Sequence, residues 1–329
     1  MAVVGDLSID FFIGADGRVT NRCLGGSAIY AAVGARIWSN KVHLIARVSP
    51  DMPQELLAET EKSGIVLDGL VQLEEPAEMR AFFAYRPDGR RVSGNPASHY
   101  LRAGQPLPKE LIGFRPDLAA RRPSGLPQLS VHPEDLGDEL DQVPGWHLAS
   151  TAHASQCLVS QRLRDMGAKW VTLDPSTAMM AEADGGRLAQ ALRNADAFLP
   201  SEKQVRAFFQ REDMSVWDMA ERLGDMGSRL VVIKRGANGQ AVYDHQTGSR
   251  WQVPAYPASV QDVTGAGHAY AGGFLAGLIQ TRNPLEAGLR GAVSASMVVE
   301  GCGPAYALRA VPGLAEARLD SLRQSAHRL

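Results

Sequence analysis

The residues best suited to chemistry lie in one short stretch, D-V-T-G-A-G-H-A-Y-A-G-G-F, residues 262–274. Thr264, Gly265, Ala266 and Gly267 make a small-residue turn that runs into a segment with helical spacing through Tyr270, Phe274 and Leu278. Glycines let the backbone bend sharply and let another group approach it closely. The free N–H groups of a first helical turn, together with the helix dipole, attract an anion. Asp262 can hydrogen-bond its own loop and stiffen it. The turn reads either as a phosphate cradle or as a tight helix start, with Ala271, Gly272, Gly273 and Gly277 allowing close packing. There is no GxxxxGK[ST] and no GxGxxG to compete for a phosphate role. His268 stands at the end of the turn. Lys234 and Arg235 follow an apolar run beside a glycine turn, where phosphate contact and simple solvation are both open. Arg80, Arg86, Arg90 and Arg91 fit a solvated strand edge better than a basic binding face. His147 and His153 lack the spacing of metal ligands.

The elements that must position these residues alternate. The pieces AVVG, KVHLIARV, KWVTLDP, DAFLPS and SRLVVIKRG have strand character. GGSAIYAAVGARIWS, PQELLAETEKSG, RLAQALRNA and VWDMAERLGDMG have helix character, and three more helices start near Gly267, Pro284 and Pro312. EMRAFFAYRPDGRRV predicts two short strands around Pro87, Asp88 and Gly89, and QAVYDHQTGSRWQVP predicts a hairpin. This order implies an α/β fold whose parallel sheet is covered on both faces, with ligands at the carboxyl ends of the strands. Residues 94–128 break the rhythm and read as an inserted excursion, either a surface loop with a short helix or a segment over the site.

Composition narrows the function classes. The 329 residues are 45% hydrophobic, enough for a large core, and 34 basic residues against 36 acidic ones give a net charge of −2. That balance argues against a nucleic-acid or membrane surface. Three scattered cysteines, Cys23, Cys157 and Cys302, fit a reducing cytoplasm better than a disulfide scaffold. The opening MAVVGDLSID has no basic segment and only a short apolar run, so no signal peptide is expected.

The 262–268 stretch resembles the C-terminal signature D-T-x-G-A-G-D of the ribokinase-like, phosphofructokinase-B-type carbohydrate kinases. VVGDLSID resembles that family's first strand, GGSAIYAA its glycine-glycine segment, LDPS its D-P-N strand end, VIKRGANG its nucleotide-binding V-x-K-x-G-x-x-G, and ASMVVEGCG the late helix near the adenine. Five motifs in order and spacing cover nearly the whole chain outside 94–128. The resemblance implies one three-layer α/β/α domain over 1–329, with a central, mostly parallel sheet and a small β-sheet lid from about 11–20 and 79–93. It implies ATP and Mg²⁺ as cofactors. Asp10, Gly25, Gly26 and Tyr30 then fall at the substrate; Tyr30 takes a position often held by asparagine and can stack on a ring or pack in the core. Ser201, Lys234, Gly236, Gly239, Thr264 and Ser296 fall at the nucleotide. Gly265, Ala266 and Gly267 stabilise the moving phosphoryl group, and the residue after the turn takes the hydroxyl proton.

Two positions depart from the pattern. His268 replaces the aspartate base, and Ser201 and Gln204 stand where the family's N-x-x-E helps magnesium, so no protein metal ligand is assigned. Three readings follow: His268 is a working base, since neutral imidazole accepts protons near neutral pH; or the chain is an impaired pseudokinase that binds nucleotide or sugar with a regulatory or partner role; or the scaffold hosts another reaction on a phosphorylated or cyclitol substrate. The first is preferred, as an ATP-dependent cytoplasmic kinase acting on a sugar, nucleoside or cyclitol hydroxyl. Its partner is a small molecule, with no nucleic acid and no membrane, and a homodimer through the lid is allowed.

Overall fold

The computed structural model describes residues 1–86, 90–115, 126–137, 140, 142–182, 185–211 and 213–328. The chain opens with β1 (Ala2–Val4), β2 (Ser8–Ile13), β3 (Val19–Gly25), α1 (Ser27–Arg36), β4 (Val42–Val48), α2 (Gln54–Lys62), β5 (Ile65–Gln72), β6 (Arg80–Tyr85), β7 (Arg91–Ser93) and α3 (Pro96–Arg102). The middle holds β8 (Trp146–Leu148), α4 (His153–Asp165), β9 (Val171–Leu173), α5 (Thr177–Glu182), α6 (Gly185–Arg193), β10 (Ala197–Phe198), α7 (Glu202–Phe209) and α8 (Val216–Asp225). The last part comprises β11 (Leu230–Lys234), β12 (Gln240–Asp244), β13 (Ser249–Val253), α9 (Ala266–Thr281), α10 (Pro284–Val298), α11 (Leu314–Arg323) and β14 (His327–Arg328).

Ten strands form one sheet in the order β14-β13-β12-β11-β10-β9-β8-β1-β4-β5. Pairing is parallel from β5 across to β11 and antiparallel from β11 to β14. Successive side chains of a strand point to opposite faces, and the core divides accordingly. Val3, Leu230 and Val232 pack with α1, α9, α10 and α11, while Val4, Val231 and Ile233 pack with α4, α6, α7 and α8. Burial on both faces explains why these strands read as unbroken apolar runs. The small residues of α9 serve helix packing: a Cβ on Gly272 would run into the backbone of Ala31 on α1.

A second sheet has the order β3-β2-β6-β7, with β2 parallel to β6 and the other pairs antiparallel. Its strands extend the segments expected at 11–20 and 79–93: β2 starts at Ser8 and β3 runs to Gly25. One face carries its own small core, in which Phe11, Ile13, Phe82 and Ala84 lie under Tyr100 of α3 and Leu111. The described part of the 94–128 excursion is therefore a cover on this sheet. The turn expected at Pro87, Asp88 and Gly89 and residues 116–125 of the excursion lie outside the described residues. Six elements, β5, β8, α4, α5, α7 and β14, have no counterpart in the sequence reading.

Candidate active site

Two strand ends and one helix start converge at the carboxyl edge of the large sheet. Asp174 follows β9 directly, Lys234 ends β11, and α9 begins at Ala266. The Lys234 ammonium donates to Asp174 Oδ1 at 2.9 Å and to the Gly267 carbonyl at 3.2 Å. His268 Nδ1 lies 2.9 Å from Asp174 Oδ2. Burial of Asp174 would raise its carboxyl, but the Lys234 charge and the His268 hydrogen bond outweigh burial and hold it at about 2. An ionised carboxylate only accepts. A proton therefore sits on His268 Nδ1, which donates to Asp174, and in the neutral ring the lone pair is on Nε2. Close by, His147 is fully buried, with Nδ1 at 2.9 Å from Thr172 Oγ1, and burial pushes the ring down to about 3.

The turn before His268 is set by its surroundings. Gly265 has φ +76°, and a Cβ there would enter the Tyr30 ring. Tyr30 is thus the support under the turn, 2% exposed and part of the core, with a buried hydroxyl that finds no partner among the described residues. Thr264 has its hydroxyl fully engaged by its neighbours. Its hydroxyl donates to Asp262 Oδ1 at 2.6 Å, so Tyr85 on β6 must donate to Thr264 Oγ1 across 2.9 Å. This chain of bonds ties the small sheet to the turn, and Asp262 also accepts from the Thr264 backbone N–H at 2.9 Å.

On one side of the turn lies a largely apolar cavity of about 690 Å³. Lys234, Gly236, Gly239, Ala266, Gly267 and Ser296 all line it. The Ser296 hydroxyl is already engaged, donating to the Val293 carbonyl at 2.7 Å and accepting from Arg318 at 2.9 Å. On the other side lies Asp10, 4% exposed, accepting from the Ser8 hydroxyl at 2.6 Å. Burial raises the Asp10 carboxyl to about 6, with Asp262 adding to the effect and Ser8 and Arg91 opposing it. Gly25 pairs across from Ser8, and a Cβ there would collide with the Asp10 carboxylate; Gly26 is the N-cap of α1.

Ser201 lines neither of these regions as a ligand group. Its hydroxyl caps α7, and Gln204 Oε1 accepts from the Ser201 backbone N–H at 2.7 Å and the hydroxyl at 2.9 Å, while Gln204 Nε2 donates to the Pro175 carbonyl. Glu202 is held by Arg206 and by Arg235, at 2.6 Å and 3.0 Å. Asp174 and Glu202 are thus each engaged by two cationic or N–H partners. Among the described residues no group of three or more His, Cys, Asp or Glu side chains is placed to hold a metal. The residues present do not fit a protein-held magnesium ion. The sequence reading gave no role to Asp174, Glu202 or Tyr85. The D-P pair at Asp174 was a visible signal for the first; for Tyr85 none existed.

A doubly wound sheet with a small second sheet over a glycine turn at a helix start defines the ribokinase-like α/β fold. Residues 147–310, just under half of the chain, match the pfkB family carbohydrate kinase model, and the chain is similar to that family. It is 27% identical over 289 residues to a cytidine kinase of Thermococcus kodakarensis, covering 87% of this chain and 90% of the relative. The structure of Burkholderia thailandensis nucleoside kinase in complex with inosine superposes with a TM-score of 0.70 at 16% identity, over 97% of both chains. Fructokinase with bound ATP from Xylella fastidiosa gives a TM-score of 0.71 at 19% identity, over 99% of this chain and 98% of that one. The relatives are sugar or nucleoside kinases. Among the described residues no helix is long and apolar enough to cross a membrane.

Proposed function

We propose that the chain transfers the terminal phosphoryl group of ATP to a hydroxyl of a sugar, nucleoside or cyclitol, with His268 as the general base. The observation that carries this reading is the 2.9 Å contact between His268 Nδ1 and Asp174. It gives histidine what a base requires: a fixed ring, a fixed tautomer and a carboxylate that stabilises the imidazolium once formed. A helix-start histidine with only a packing role does not need an ionised, buried partner.

In this scheme the adenine side of ATP occupies the 690 Å³ cavity, and its phosphates run toward Gly267. Asp10 accepts a hydrogen bond from an acceptor hydroxyl. The reacting hydroxyl gives its proton to His268 Nε2 as its oxygen forms a bond to the γ-phosphorus. The bond between that phosphorus and the ADP oxygen breaks, and ADP leaves with the electron pair. The backbone N–H groups of the 265–267 turn face the charge that develops on the phosphoryl oxygens. The likeness to a cytidine kinase puts nucleosides first among acceptors to test.

The test is ADP release by the purified chain with ATP and a panel of nucleosides, hexoses and inositols. Asp174→Asn should lower kcat by about 10²–10⁴-fold with little change in either KM, because the amide presents an N–H and forces the wrong imidazole tautomer. Full activity of Asp174→Asn would remove His268 as base. Binding of nucleotide without turnover on any acceptor would leave the pseudokinase reading in its place.

A further inference from the structure

Beside the apolar cavity, and sharing Lys234 and Gly236 with it, lies a second hollow of about 810 Å³. Four basic side chains line it, Lys203, Arg206, Lys234 and Arg235, against one carboxylate, Glu202. Glu202 is occupied: Arg206 Nη2 reaches its Oε1 at 2.6 Å and Arg235 Nε its Oε2 at 3.0 Å. Burial alone would raise that carboxyl, but these two guanidinium groups reverse the effect and hold it below its ordinary range. Lys234 uses two of its three N–H groups on Asp174 and the Gly267 carbonyl. Ser201 and Gln204, on the rim, are closed on each other as a capping box.

Magnesium at a phosphate site is normally held by one or two carboxylates together with the substrate phosphates. Among the described residues that line this hollow, no carboxylate is left for that task. It offers instead an excess of fixed positive charge, next to the turn where the phosphoryl group would sit. Arginine and lysine bind phosphate oxygens through charge-assisted hydrogen bonds and need no metal to do so.

We infer that this hollow takes the polyphosphate chain of the donor nucleotide and neutralises it with the protein's own cations, so that nucleotide binding does not depend on a divalent metal. The inference rests on the nucleotide-donor reading above and concerns binding, which can be measured apart from turnover.

The test is calorimetric titration of the full chain with ATP, adenosine and inorganic tripolyphosphate, each in EDTA and again in excess Mg²⁺. ATP affinity should agree within about threefold between the two buffers. Adenosine should bind at least about tenfold more weakly than ATP, since it lacks every charge-assisted contact. Tripolyphosphate should bind detectably in EDTA and compete with ATP. Arg235→Gln should weaken ATP in EDTA by about tenfold and leave adenosine unchanged. Lys203→Gln, at an exposed position that cannot disturb the core, should weaken ATP in the same direction by a smaller factor. A tenfold or greater loss of ATP affinity on removing metal overturns the inference. So does unaltered metal-free ATP binding in both variants. If neither ATP nor adenosine binds in either buffer, the nucleotide-donor reading itself fails, which is a different result from metal-dependent binding.

Discussion

Gly267 differs from its neighbour Gly265 in what demands it. Gly265 is required by its positive φ and by the Tyr30 ring, whereas a Cβ on Gly267 would meet only the Lys234 ammonium, at 3.5 Å. A glycine that the fold does not require points to a ligand that comes close. Gly267→Ala should therefore leave thermal stability nearly unchanged, or raise it slightly because alanine is the better helix former. It should weaken ATP binding by about tenfold or more. Equal ATP affinity in titrations of a stable variant would remove the phosphate from this turn. Asp10 carries the opposite burden, a group whose function conflicts with stability. Its carboxyl titrates near pH 4 when unfolded and at about 6 when folded. Between those values the folded protein keeps a proton that the unfolded chain has lost, so stability falls as pH rises through that window and stays lower above it. Asp10→Asn should raise the unfolding free energy at pH 8 by up to about 3 kcal/mol, with the gain fading below about pH 4. The same variant should raise the acceptor KM. Denaturant melts at the two pH values check the first expectation; a gain independent of pH would show that ionisation is not its cause.

At the scale of elements, the contact between β6 and the start of α9 is what couples the small sheet to the site. Tyr85 donates to Thr264, which donates to Asp262, all in a half-buried or buried setting. Tyr85→Phe removes one hydroxyl and leaves Thr264 bonded to Asp262. We expect a loss of about 0.5–1.5 kcal/mol in stability and a rise of a few-fold in the acceptor KM, with the ATP KM unchanged. Steady-state kinetics with each substrate varied in turn separate the two. The α7 region shows how an element can hide in plain sight. Ser201, Glu202, Lys203 and Gln204 read as a worn metal motif, yet S-x-x-Q is also a capping box, and the structure uses it as one. The helix it starts is only eight residues long, too short for its periodicity to stand out.

At the scale of the whole molecule, the alternation of strands and helices was legible because both faces of the sheet are buried and the apolar runs are dense. The strand β8, of three residues, gave little signal of its own, and the edge strand β5 contains Asp68 and Gly69, which dilute its pattern. The glycine turn was legible from local spacing, and of the residues given by the family resemblance Lys234, Gly236, Gly239 and Ser296 line the apolar cavity, while Ser201 and Thr264 do not. The pairing of His268 with Asp174 could not, since 94 residues separate them and only the parallel order of β9, β10 and β11 brings them together. That order has a consequence for descent. The lining of the apolar cavity comes from one continuous stretch, 234–299, inside the 147–310 region that matches the family model, whereas Asp10, Gly25 and the small sheet come from the first hundred residues. Under the proposed function, a lineage could rewrite the front of the chain, and with it the molecule to be phosphorylated, while inheriting the back intact.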